Sequence, residues 1–179
     1  MPWVMAVDTG RLNARKRVEW QVVAIIGKNV DDKTLNQLRE NSRIRLDARG
    51  VFWHDGAPVT HPGIARLWHR GIGRAADGRL TLTVGDQWCF IEAEDAPYIV
   101  RLLSLESNQV LLRLSDETSE TLDLSTVTRG AGDVLYCRVK HGVFLARFSQ
   151  AAQIALAPLV GEDAGHFFLE IGGRRWPIR

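Results

Sequence analysis

Apolar and polar residues along this chain alternate in short runs broken by glycine, the pattern of strands joined by tight turns rather than of long helices. Ile44 and Leu46 alternate with Arg45 and Asp47, and after Gly50 the segment Val51–His54 returns. Asp55-Gly56 and Pro58 then predict a turn. Pro62 at a first helical position predicts a helix carrying Ile64, Leu67 and Trp68 on one face. Asp77-Gly78 signals a hairpin into Leu80–Val84, and Gly85-Asp86 turns the chain into Trp88–Ala93. Asp95-Ala96-Pro97 bends it into Tyr98–Leu105.

The second half reads the same way. Val110–Leu114 and Glu120–Leu124 flank a polar turn. Leu135–Lys140 and Val143–Phe148 flank His141-Gly142. A helix is expected over about 151–160, with Pro158 ending or bending it. Phe167–Ile171 and Arg174–Ile178 close the chain around Gly172-Gly173. Nearer the N-terminus, residues 1–17 read as an arm and Val18–Ile26 as a β-branched strand. Asp31 to Glu40 reads as a short helix with acidic residues in its first turn.

Three matches suggest a duplication: Arg49-Gly50-Val51-Phe52 with His141-Gly142-Val143-Phe144, Ile64-Ala65 with Ile154-Ala155, and Val84–Trp88 with Ile171–Trp176. The expected fold class is therefore α+β, a duplicated module of antiparallel strands plus one helix. The expected organisation is an N-terminal arm, strand and short helix over 1–42, a first repeat over 43–106 and a second over 107–179. The core should contain Phe52, Leu67, Leu82, Phe144 and Leu159.

Composition narrows the function. A hydrophobic fraction of 45% over 179 residues supports a folded core and excludes disorder as the main state. Twenty-three basic against 21 acidic residues leave a net charge of +2, too balanced for a partner that is a nucleic acid polymer. No apolar run approaches the length of a membrane span, so no membrane is expected, and the chain reads as cytoplasmic. Cys89 and Cys137 sit in apolar strand-like runs and read as buried reduced thiols.

The chemistry-bearing residues do not form a catalytic pattern. His54, His61 and His69 are spaced by seven and eight residues, which matches no zinc signature, so no metal and no other cofactor is expected. Glu92 and Glu94 share a strand face, with Asp95 at a turn, and read as a solvated surface rather than an acid–base pair. No nucleophile elbow, phosphate loop or dinucleotide fingerprint occurs, and the chain reads as not an enzyme. Arg66, Arg70 and Arg74 share one helix side and read as a charged solvent face.

The run Gly50-Val51-Phe52-Trp53-His54-Asp55-Gly56-Ala57-Pro58-Val59 carries a resemblance. With it go Asp77-Gly78-Arg79-Leu80, Ile91–Tyr98, Leu135–Gly142 and the closing Gly172–Ile178. Over about 43–178 the chain resembles the bacterial domain-of-unknown-function family number 1285. The resemblance implies a duplicated architecture, a C-terminal half like a pleckstrin-homology fold, and a ligand site between the halves. It also implies a nucleotide-type ligand and a part in signal transduction. The sequence departs from the family near His61, at Val84–Gln87 and at Gly142–Leu145, where an arginine and a glutamate are lost. The leading expectation is a non-catalytic ligand-binding or sensing protein. In it Arg147 supplies a fork for phosphate, Arg174 a second cation, Trp176 a stacking face and His54 a neutral donor. The alternative is a scaffold for a protein partner, without a small-molecule ligand.

Overall fold

The computed structural model describes residues 31–179; the expected arm and the strand at Val18–Ile26 lie outside the described residues. Helix α1 (Asp32–Glu40) is capped by Asp31, whose side chain accepts from the Thr34 N–H at 3.0 Å. It packs against the first of two six-stranded sheets.

That first sheet contains β1 (Ile44–Leu46), β2 (Phe52–His54), β3 (Ala57–Pro58), β4 (Ile72–Arg74), β5 (Leu80–Val84) and β6 (Gln87–Ala93). Helix α2 (Pro62–Arg70) connects β3 to β4. Its N-terminus forms as the sequence predicts, with Pro62 in the first turn and the His61 ring accepting from Ile64 N–H at 3.3 Å. The second sheet contains β7 (Tyr98–Glu106), β8 (Gln109–Leu114), β9 (Ser119–Thr121), β10 (Thr128–Arg129), β11 (Leu135–Val139) and β12 (Phe144–Phe148). Helix α3 (Gln150–Leu156) follows and packs on β7. A single 3₁₀ turn at Ala157–Leu159 contains Pro158 and ends the helical stretch. A separate meander of β13 (Val160–Asp163), β14 (His166–Ile171) and β15 (Arg174–Pro177) completes the chain.

The architecture is α+β and duplicated. Strand order is β3-β2-β1-β6-β5-β4 in one sheet and, read from its far edge, β9-β8-β7-β12-β11-β10 in the other. Each sheet joins two antiparallel meanders through one parallel pair, β1 with β6 and β7 with β12. Adding six to each strand number of the first sheet reproduces the second. The repeat therefore runs β1–β6 against β7–β12. This corrects the residue matches drawn from sequence, which pair the Gly50 turn of β1–β2 with the Gly142 turn of β11–β12. Those similarities reflect common hairpin chemistry, since a tight turn followed by an apolar strand recurs throughout the chain. The expected boundary at 106/107 falls in the turn between β7 and β8, which pair from Val100/Leu114 to Glu106/Gln109. The sheets change over at 94–97 instead. Helix α3 and the last meander follow the second sheet.

The core spans both sheets. Phe52, Leu82 and Phe144 are buried as expected, and Leu159 is partly buried against the same cluster. Leu67 corrects the expectation at 48% exposed, whereas Trp68 is 1% exposed. His69 is buried too, with its ring 4.8 Å from that of Phe52. Burying both 68 and 69 turns the inward stripe of α2 away from position 67.

The sheets are tied by specific polar contacts. On α2, Arg66 and Arg70 reach Glu117 at 3.2 and 3.7 Å, and Arg70 Nε donates to the Asp116 carbonyl at 3.2 Å. The stripe read as a solvent face is thus partly an inter-sheet clamp. Gly50, at φ +78°, lies against β7; a Cβ there would come within 2.6 Å of Ile99 Cγ1. Only glycine meets both requirements at low cost.

Candidate functional site

The predicted site residues fall in three different sheets. His54 ends β2, Arg147 lies on β12, and Arg174 and Trp176 lie on β15. The last two are brought together, with the Arg174 guanidinium 5.0 Å from the Trp176 ring centre. No hydrogen bond or ion pair joins His54, Arg147 and this pair among the described residues.

Arg147 is engaged by the fold. Its Nη1 donates to Asp95 Oδ2 at 2.6 Å, and the Tyr136 hydroxyl donates to the same oxygen at 3.0 Å. Asp95 belongs to the 94–97 crossover, so the cluster pins the connection between sheets onto β11 and β12. Across from Tyr136 in the ladder, Arg147 is pre-positioned for that carboxylate. A phosphate at this place must displace Asp95. Lys140 is similarly held by Asp116 at 2.7 Å. Burial works to raise the Asp116 carboxyl, but bonds from Lys140 and Thr118 prevail and hold it below its ordinary value. Arg147 and Lys140 are therefore each already neutralised by an acid of this chain.

His54 is buried and lines a small cleft. The cleft lies between α1 and the first sheet, with none of Arg147, Arg174 or Trp176 on its walls. Leu35 and Leu38 descend from α1. Leu82 and Val84 rise from β5, and Trp68 contributes from α2. Polar groups are few: Ser42, His54, Gln87 and Cys89, with Arg39 at the rim beside Trp88. An apolar concavity with a small number of polar groups is the usual form of a small-molecule site.

Burial raises the Cys89 thiol, with a Ser42 bond acting against it, so the thiol stays protonated and weakly nucleophilic. The buried titratable groups elsewhere serve the fold. Asp47 accepts from the N–H groups of Arg49 and Val51 and from the Trp53 indole, closing the β1–β2 turn. Burial opposes ionisation of Asp47, yet these bonds hold its carboxyl below the usual range. Cys137 is buried and free, its thiol pushed up to about 12 by burial. Among the described residues no group of three or more His, Cys, Asp or Glu side chains is placed to hold a metal, and no helix is long and apolar enough to cross a membrane.

Sequence reasoning found His54 and missed the rest of this cleft. Leu35 and Leu38 were legible as one side of α1, but nothing in the local pattern says which sheet that side meets. Trp88 was read only as a strand residue.

No protein-family model matches the chain, and no curated protein matches it. Two solved structures are similar. A DUF1285 family protein from Silicibacter pomeroyi DSS-3 aligns over 76% of this chain and 79% of its own, with a TM-score of 0.62 and 17% identity. A DUF1285 family protein from Shewanella baltica OS155 aligns over 65% and 91%, with a TM-score of 0.53 and 15% identity. At those identities the likeness is one of fold, and it supports the resemblance carried by the Gly50–Val59 and Ile91–Tyr98 segments: this chain has the fold of DUF1285 family proteins.

Proposed function

We propose that this protein is a non-catalytic binding module that takes a small, largely apolar ligand in the cleft between α1 and the first sheet. One observation carries the reading: the apolar concavity built from α1, α2, β1, β5 and β6, with His54 among its few polar groups. The sensing role expected from sequence is retained and its site moves. A nucleotide between the halves, held by His54, Arg147, Arg174 and Trp176, would have to take Arg147 from Asp95 and draw together residues of three separate sheets. The two thiols, buried or partly buried and unpaired, fit a reducing compartment such as the cytoplasm.

The test is thermal-shift screening of the whole chain against a panel of small apolar compounds and nucleotides. A ligand at a hundredfold excess over its dissociation constant stabilises by about 2.7 kcal/mol. Leu38→Glu places a charge at the cleft wall on a half-exposed position. It should remove the gain from apolar compounds while leaving the unliganded melt nearly unchanged. A gain confined to nucleotides and lost in Arg147→Ala would return the site to the sheet junction.

A second reading, docking of a protein partner, has its own observation. Leu102 and Leu105 of β7 and Ile154 of α3 are 61%, 52% and 66% exposed, on elements that pack together. Leu102→Lys would weaken such docking and leave the cleft untouched.

A further inference from the structure

The rim of the cleft carries a cation that no acid among the described residues pairs. Arg39 lies in the last turn of α1, and its guanidinium sits 4.6 Å from the centre of the Trp88 ring. Its Nη1 donates to Asn36 Oδ1 at a long 3.3 Å. Its Nε is buried and has no hydrogen-bond partner among the described residues. No carboxylate lies within ion-pair distance of it there, in contrast to Arg43, Arg45, Arg66, Arg70, Arg79 and Arg147. A guanidinium presents its donors in a plane that matches a carboxylate, and stacking on an indole fixes that plane. A buried N–H without an acceptor is costly, so an acceptor delivered here is favoured.

The remainder of the cleft fixes what the acceptor must be attached to. Trp68, Leu82 and Val84 form an apolar floor and Leu35 and Leu38 an apolar side. A single cation at the rim matches one negative charge; a di- or triphosphate brings more charge than the site neutralises. We propose, resting on the cleft being the binding site, that its ligand is a compact apolar monocarboxylic acid. The carboxylate accepts from Arg39, and the apolar body lies against Trp88, Trp68 and Leu82. A second cation-bearing cleft is lined by Arg43, Arg45 and Arg79, paired with Asp55, with Glu94, and with Glu40 and Asp77, and a third is lined by Arg138 and by Lys140, which Asp116 holds.

The experiment is isothermal titration of the full chain with 1-naphthylacetate and with its uncharged counterpart 2-(1-naphthyl)ethanol, repeated on Arg39→Gln and Arg39→Lys. Arg39 makes no ion pair among the described residues, so both variants should fold, and their melts verify it. The expected result is that the acid binds the wild type at least tenfold more tightly than the alcohol. Arg39→Gln should erase that preference and leave the alcohol's affinity unchanged, with Arg39→Lys keeping part of it. If acid and alcohol bind equally and Arg39→Gln changes neither, the carboxylate assignment is overturned while the cleft survives. If neither compound binds, the cleft reading and this assignment fall together.

Discussion

Lowering the pH should destabilise this protein through one side chain, His69 on α2. The ring is 3% exposed, its Nε2 lies 3.1 Å from the Gly50 carbonyl, and its Nδ1 is buried without a hydrogen-bond partner among the described residues. The carbonyl can only accept, so Nε2 carries the proton and the neutral ring is the folded form. Protonating Nδ1 would place a charge beside the Phe52 ring, with the Arg101 guanidinium opposing it and the Asp116 carboxylate giving partial relief. Burial thus lowers the histidine from its ordinary 6.5 to about 4. Between those values the unfolded chain binds a proton that the folded chain refuses, so stability falls as pH falls through that window and is complete above it. At about 1.4 kcal/mol per pH unit, the window amounts to roughly 3 kcal/mol. Asp47 and Asp116, both held below the ordinary carboxylate value of 3.8, lose their contributions at lower pH and leave this window clear. Urea unfolding of wild type and His69→Gln at pH 7.5, 6, 5 and 4.5 measures the effect. The glutamine amide can still donate to Gly50 and does not titrate in this range. The wild type should lose about 2.5 kcal/mol more than the variant across the series, which stops short of the window's lower end. Parallel curves would refute the assignment of the neutral buried ring.

Three further outcomes follow from the packing. Trp68→Ala should cost about 3–5 kcal/mol in denaturant unfolding, whereas Leu67→Ala should cost under about 1 kcal/mol. Equal costs would put the wrong face of α2 inward. Arg147→Ala should destabilise by roughly 1–3 kcal/mol, because Asp95 loses its ion pair at a half-buried place where side-chain exposures are 30% and 20%. This replaces the expectation that Arg147 is free for a ligand, and a change below about 0.5 kcal/mol would reinstate it. Gly50→Ala forces a positive φ and a contact with Ile99, and its thermal melt should show a loss of about 1–3 kcal/mol.

Much of the fold can be read from local signals. Asp77-Gly78, Gly85-Asp86 and His141-Gly142 each sit between strands paired in register, and Pro62 and Pro158 mark the helix start and end where expected. Signals that depend on distant partners were lost. β4 is three residues including Gly73, too short and too permissive to stand out, and exists because β5 pairs with it. The phase of the duplication was missed because topology, and not residue identity, carries it: parallel pairing of first and last strands leaves no local trace. His69 was weighed only by its spacing from His54 and His61, which matches no zinc signature and says nothing of burial. Its carbonyl partner nineteen residues away is what makes it a core residue. The same limit governs the site. His54, read as a ligand donor, lines a cleft that its local sequence does not reveal, and Arg147, read as a fork for phosphate, pairs with Asp95, 52 positions earlier.

An amide-resolved NMR titration of the full chain with 1-naphthylacetate decides where the ligand sits. Saturable shifts are expected at Leu35–Ser42, His54 and Gln87–Cys89, with Asp95, Tyr136, Arg147 and Trp176 unmoved. Shifts centred on Asp95, Arg147 and Trp176, with the α1 cleft silent, would contradict that placement.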